Sequence, residues 1–256
     1  MLLRQNSMDD STARNKLIVA LDVARVDEAR RLFMMLRGIV GMFKIGSQLF
    51  TAAGPSIVRE IVAADGRVFL DLKFHDIPST VARAGLEAAR LNVSIFNVHA
   101  LGGGEMMQRT VDAVAEDCAR ENLRRPQIIA VTVLTSADAQ TLSDVGINDA
   151  PETQVIRLAR LAAACAMDGV VASPREIQLV KANINEARDF IIVTPGVRPA
   201  EIETHDQRRV MTPAEAIRAG ADYLVVGRPI LEADDPVEAA MKIVEEIKEA
   251  ISDLQK

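Results

Sequence analysis

Eight short aliphatic runs, each followed by a stretch of helical periodicity, constrain this chain more than any other feature. The runs are Leu17–Leu21, Met42–Ile45, Val68–Leu70, Ser94–Val98, Ile128–Val133, Gly169–Val171, Phe190–Val193 and Tyr223–Val226. They are nearly continuous in hydrophobicity rather than alternating, the mark of strands buried on both faces, as in parallel sheets. The intervening patterns predict helices over Val26–Leu36, Pro55–Ala63, Ser79–Leu91, Glu105–Glu121, Glu152–Met167, Pro174–Ala182, Pro213–Ala219 and Pro236–Leu254. Ser173-Pro174, Thr212-Pro213 and Asp235-Pro236 read as an N-cap followed by proline in the first turn. Gly66, Gly169 and Gly220 precede the next strand and suit helix stops. Eight β–α units in 256 residues match an α/β fold of the single-domain (β/α)8 (TIM) barrel kind better than an open doubly wound sheet. The expected organisation is a loose polar tail over residues 1–15 and one barrel domain over 16–256.

Composition narrows the classes of function. The net charge of -6 supplies no basic excess to neutralise phosphates, so nonspecific nucleic-acid binding is not expected. Cys118 and Cys165 fall in helical patterns without CxxC spacing, which argues against a disulfide or structural zinc site and for a reduced, cytoplasmic setting. No run reaches membrane-spanning length, and the first fifteen residues lack the apolar centre of a signal peptide.

In a parallel barrel, chemistry gathers at the C-terminal ends of the strands, and there the residue types change. Asp22 follows the first run, and Lys44 interrupts the second between Phe43 and Ile45. Asp71, Lys73 and Asp76 follow the third. Thr135-Ser136 follows the fifth, Pro195-Gly196-Val197-Arg198 the seventh, and Gly227-Arg228 the eighth. In an extended segment, residues two apart share a face, so Asp71 and Lys73 are expected side by side. An acid–base–acid array is costly to hold unless a ligand or chemistry uses it.

Each residue also has a plainer reading. Asp22 competes with Asp27 for a helix cap, Lys44 alone suits a snorkelling surface lysine, and Asp76 suits a cap before Pro78 or Ser79. Gly227 permits close backbone approach and Arg228 offers a forked donor for phosphate oxygens. Arg198 and Gln207, on the long segment Thr194–Thr212, are placed to close over the same anion, or else are solvated loop residues. His75, His99 and His205 lack metal-ligand spacing, and His99 suits a hydrogen-bonded structural role.

Taken together, Leu21-Asp22-Val23, Phe43-Lys44-Ile45-Gly46, Asp71-Leu72-Lys73-Phe74-His75-Asp76-Ile77-Pro78, Val133-Leu134-Thr135-Ser136, Thr194-Pro195-Gly196-Val197-Arg198-Pro199, Asp206-Gln207-Arg208-Arg209-Val210-Met211-Thr212-Pro213 and Val226-Gly227-Arg228-Pro229-Ile230 resemble the orotidine 5′-phosphate decarboxylase family of the bacterial type. The resemblance implies a carbon–carbon lyase that uses neither cofactor nor metal. It would convert orotidine 5′-monophosphate to uridine 5′-monophosphate and carbon dioxide, the last step of pyrimidine nucleotide synthesis. It implies Lys73 as the proton donor to C6, with Asp71 near the substrate carboxylate and Asp76 helping to hold the lysine. It implies a homodimer in which Asp76 and Thr80 serve the neighbouring subunit's site, and Ile77 as a substrate-binding residue. By the same resemblance Asp22 and Lys44 would contact the ribose and Thr135 and Ser136 the pyrimidine. Arg198, Gln207, Gly227 and Arg228 would form the phosphate side, with Pro195 a further substrate-binding residue. The magnesium-dependent 3-keto-L-gulonate 6-phosphate decarboxylases and hexulose-phosphate synthases look similar around D-x-K-x-x-D, but carry an acid where this chain has Lys44. A non-catalytic nucleotide-binding protein on the same fold is the alternative of a different class.

Overall fold

The structure is a computed structural model that describes residues 10–184, 189–199 and 211–255. Its eight strands are β1 (Leu17–Ala20), β2 (Met42–Gly46), β3 (Val68–Phe74), β4 (Ile95–His99), β5 (Gln127–Val131), β6 (Gly169–Val171), β7 (Ile191–Pro195) and β8 (Tyr223–Val226). They close in sequence order into a parallel barrel, the expected (β/α)8 architecture. Contacts within the chain group into two compact units, one of Met1–Phe69 with Thr194–Lys256 and one of Leu70–Val193.

In the first unit β1 is the central strand, pairing with β2 in the register Ile18↔Met42 and with β8 in the register Leu17↔Leu224. Every residue of β1 and β2 is buried, which is why their sequences read as continuous apolar runs. The core of this unit is aliphatic apart from Phe33, Phe43 and Phe69, and the Phe33 and Phe43 rings meet edge-to-face at 5.0 Å. The helix Pro236–Leu254 buries Ala240, Ile243, Val244, Ile247, Ala250 and Ile251, an apolar stripe at helical spacing. Its start is fixed by Asp235, whose carboxylate accepts the N–H groups of Val237 (2.9 Å) and Glu238 (3.1 Å). Thr212 and Glu215 form a reciprocal capping box at the helix Pro213–Ala219, which stops at Gly220 with φ 106°.

In the second unit β4, β5, β6 and β7 run parallel in register, with Asn97 opposite Ile129 and Gly169 opposite both Ile129 and Ile191. The helix Pro151–Ala164 leads into β6 through Asp168. The Asp168 carboxylate takes both the Arg125 guanidinium (2.9 and 3.1 Å) and the Ile128 N–H (2.6 Å). Ser173 and Glu176 make the capping box expected at Ser173-Pro174, although the turn it opens is a 3₁₀ turn, Pro174–Glu176, ahead of the helix Ile177–Asn183.

Four expectations need correction. The loose tail over 1–15 does not hold for its second half. Residues 10–16 are helical, Ala13 is wholly buried, and Asp10 pairs with Lys248 at 2.7 Å; residues 1–9 lie outside the described ones. The helix expected from Pro55 is preceded by another, Ser47–Ala53, broken from Ser56–Ala63 by Gly54-Pro55, and Ala139–Asp144 and Arg228–Leu231 are short helices the periodicity was too brief to signal. Gly66 and Gly169 are not the left-handed helix stops: Asp65 (φ 61°) and Ala166 (φ 55°) take that conformation. Gly169 is glycine for a different reason, because a Cβ there would lie 2.1 Å from the Ile191 carbonyl oxygen.

That clash gives a test. Gly169→Ala must push β6 from β7 and is expected to cost about 2 kcal/mol, read as a lowered urea midpoint at unchanged m-value. An unaltered midpoint would show that the β6–β7 backbone yields freely.

Candidate active site

Polar groups interrupt the two units' apolar strands at the strand ends. In the first unit Lys44 is only 8 % exposed, so it is no snorkelling surface lysine. Its ammonium reaches Asp22 Oδ1 at 2.9 Å, while the Asp22 side chain is half exposed. The pairing follows from register. Ala20 lies opposite Lys44, and the Leu21 N–H donates to the Lys44 carbonyl at 3.0 Å, which brings Asp22 alongside the β2 end. Gly46 makes room: a Cβ there would sit 3.1 Å from both Asp22 Oδ1 and Lys44 Nζ. Gly227 directly follows β8 and begins the turn carrying Arg228, whose exposed guanidinium has no hydrogen-bond or ion-pair partner among the described residues. Pro195 ends β7; Arg198 follows, partly exposed, its backbone N–H donating to Met211 O at 3.2 Å. Gln207 and His205 fall outside the described residues.

In the second unit Lys73 Nζ donates to Asp71 Oδ1 at 2.6 Å, with the Asp71 side chain 12 % and the Lys73 side chain 38 % exposed. They meet as expected, but not through simple strand alternation. Lys73 has φ 52°, in the left-handed region that a side chain disfavours. Its N–H donates to Asn97 Oδ1 at 2.8 Å, and Asn97 Nδ2 donates to the same Asp71 oxygen at 2.6 Å. Asn97, on β4, is fully buried and was not among the expected residues. Its signal in the sequence is a carboxamide inside the apolar run Ile95-Phe96-Asn97-Val98.

Asp76 is exposed and accepts its neighbour Ile77's N–H at 2.6 Å; it does not pair with Lys73 within the chain. Ile77 is 65 % exposed and Thr80, in the first turn of the helix Pro78–Arg90, is exposed as well. Thr135 and Ser136 occupy the middle of a turn closed by Ala137 N–H to Leu134 O at 2.8 Å, and both are exposed. Within one chain, therefore, the lysine is held by one carboxylate and one carboxamide, not by two carboxylates. Among the described residues no three His, Cys, Asp or Glu side chains converge as a metal-ligand set.

His75 and His99 stack at 5.6 Å with ring planes 22° apart. His99 Nδ1 accepts the Leu101 N–H at 3.4 Å, the role of a neutral imidazole. Burial first, then the charges of His75 and Lys73, hold its pKa below the ordinary 6.5. The unfolded chain then takes up a proton near pH 6.5 that the folded chain refuses until lower pH. This contribution to stability is complete above about pH 6.5 and is lost as pH falls through the lowered folded value. The urea midpoint is expected to drop between pH 7.5 and 5.5, and His99→Asn to flatten that slope. An equal slope in the variant would remove His99 as the source.

The chain has many relatives among known proteins. A family model for "Orotidine 5'-phosphate decarboxylase / HUMPS family" matches residues 15–243. Curated proteins named orotidine 5'-phosphate decarboxylase are similar throughout. That of Geobacter sulfurreducens is 55 % identical over 240 residues, covering 94 % of this chain and 99 % of its own. That of Geotalea uraniireducens is 53 % identical over 240 residues, with 94 % and 98 % covered. The crystal structure of orotidine 5'-phosphate decarboxylase from Lactobacillus acidophilus superposes with a TM-score of 0.79 at 34 % identity, covering 90 % of this chain and 98 % of that one. The chain belongs to the orotidine 5'-phosphate decarboxylase / HUMPS family.

Proposed function

We propose that this chain decarboxylates orotidine 5′-monophosphate to uridine 5′-monophosphate, with Lys73 delivering the proton to C6 and neither metal nor cofactor taking part. One observation carries the reading: a lysine ammonium fixed on a largely buried carboxylate, 2.6 Å away, at the C-terminal end of a barrel strand. The curated relatives above half identity carry the decarboxylase name, although the family description also spans the HUMPS branch.

The chemistry follows from charge. Loss of carbon dioxide leaves an electron pair on C6 with no adjacent sink. A fixed ammonium beside that carbon favours the developing carbanion, because negative charge moves toward it during the reaction. Proton transfer from Lys73 then gives the C–H bond of the product. Asp71 lies near the departing carboxylate and sets the ammonium's position. Asp22 and Lys44 contact the ribose, Thr135 and Ser136 the pyrimidine, and Pro195, Arg198, Gln207, Gly227 and Arg228 the phosphate. The Arg228 guanidinium, without a partner among the described residues, supports that last role. Binding energy from the remote phosphate serves to orient the base.

Asp76 and Thr80 serve the neighbouring subunit in a homodimer. Asp76 has no cation partner among the described residues, and Ile77, Leu101 and Leu134, following β3, β4 and β5, are 65 %, 43 % and 44 % exposed, apolar area suited to a partner. Buried, unbridged Cys118 and Cys165 fit a reducing cytoplasm, and among the described residues no helix is long and apolar enough to cross a membrane. Lys44 is the observation against a magnesium-dependent sugar-phosphate activity, since an ammonium 2.9 Å from Asp22 repels a dication there.

Loss of orotidine monophosphate absorbance on adding the protein, undiminished by EDTA, is the expected result; dependence on EDTA-chelatable metal would favour the sugar-phosphate branch. Lys73→Ala is expected to lower kcat by about 10⁴-fold or more while nucleotide binding persists, and near-normal turnover would strip Lys73 of its role. Arg228→Ala is expected to reduce kcat/KM by about 10²-fold; an unchanged value would take Arg228 out of the phosphate site.

A further inference from the structure

We propose that Asn97 is a positioning residue for Lys73: its one carboxamide fixes the lysine's backbone and the lysine's counter-ion at the same time. The inference rests on the decarboxylase reading for its kinetic consequences, but its geometry stands apart from that reading.

Five non-glycine residues have positive φ among the described ones: Asp65, Lys73, Asn92, Asn122 and Ala166. Four of them follow directly on helices, after Ala63, Arg90, Glu121 and Ala164, where a left-handed residue is the ordinary way to end a helix. Lys73 alone lies inside a strand, where nothing in the local sequence asks for that conformation. Such an outlier persists only when its surroundings over-determine it. One side chain grips the backbone directly, since the Lys73 N–H is donated to Asn97 Oδ1 at 2.8 Å.

The other end of the carboxamide donates from Nδ2 to Asp71 Oδ1 at 2.6 Å, the oxygen that also takes Lys73 Nζ at 2.6 Å. The orientation of the amide is fixed by chemistry. Turned over, it would set N–H against the Lys73 N–H and oxygen against the Asp71 carboxylate. Leucine orphans a buried N–H, aspartate sets a second carboxylate against Asp71, and glutamine is a methylene too long for a site that is 0 % exposed. Asn97 is itself anchored, its strand paired with β5 through the register Asn97↔Ile129.

The consequence is preorganisation. Lys73 leaves its strand in a set direction and ends on a carboxylate already oriented, before any substrate arrives. A fixed cation needs no rearrangement when charge develops, and misplacement of a reacting group by about 1 Å costs about 10²-fold in rate.

The test uses the full chain with orotidine monophosphate as substrate and uridine monophosphate as a binding probe. Asn97→Ala is expected to lower kcat by about 10²-fold while the calorimetric Kd for uridine monophosphate stays within about threefold of wild type, since the ligand's ribose and phosphate contacts do not pass through Asn97. In an Asp71→Ala background the same change is expected to cost clearly less than in the wild type, because the contact to Asp71 is shared and only the Lys73 N–H contact is left to lose. Asn97→Asp, which keeps an acceptor for the Lys73 N–H but loses the donor to Asp71, is expected to be as slow as the alanine variant, and it carries the test if Asn97→Ala does not fold. Wild-type kcat in either variant, or full additivity with Asp71→Ala, overturns the proposal. A wild-type protein that leaves orotidine monophosphate untouched refutes the decarboxylase reading instead. The Asn97 geometry is then judged by hydrogen exchange of the Lys73 amide, slow if Asn97 holds it and as fast as an open loop if it does not.

Discussion

A single carboxylate oxygen, Asp71 Oδ1, receives an ammonium and a carboxamide N–H, both at 2.6 Å. The arrangement is self-reinforcing. The ammonium is held by the acid, the acid by Asn97, and Asn97 also grips the backbone from which the ammonium grows. A buried charge or amide left without a partner is expensive, so each member of this group requires the other two. This mutual requirement turns the end of β3 away from regular strand geometry and fixes the direction of Lys73.

The first unit solves a parallel problem with less strain. Lys44 is buried within β2, yet its charge is met by Asp22 at the end of the neighbouring β1, and Gly46 leaves the space in which they meet. Here the register of two regular strands suffices, and no residue of β1 or β2 departs from an ordinary backbone. In both units a cation, buried at Lys44 and part-exposed at Lys73, is paired with an acid from a strand end and thereby set in position. Pairs of this kind contribute little to stability when exposed and carry a desolvation cost when buried, so their presence is better explained by chemistry than by folding.

Much of this was legible in the sequence because parallel strands buried on both faces leave continuous aliphatic runs. Tyr223–Val226 and Gly169–Val171 match their expected limits residue for residue, and Thr212 and Asp235 cap the helices their sequence context announces. Lys44 and Asp71 stood out because a charge inside or directly after such a run has no apolar explanation. Other features were hidden for identifiable reasons. Gly169 looks like a helix stop from its neighbours, but the constraint on it comes from Ile191, twenty-two residues away and across a strand pair. The helix over residues 10–16 is too short and polar to announce itself, and its buried Ala13 is small enough to pass for loop. Asn97 was passed over because a single carboxamide in an apolar strand does not name its partners.

Local periodicity and residue type were enough to specify the parallel barrel, the order of its strands and the charged residues at their ends. Tertiary structure alone decided which charge meets which. Whether Lys73 sits on Asp71 or on Asp76, what turns its backbone left-handed, and why the donor to Asp71 comes from β4 are set by contacts between segments distant in sequence. Hydrogen bonds demand angles and distances within a few tenths of an ångström, and only the assembled strands fix positions that finely.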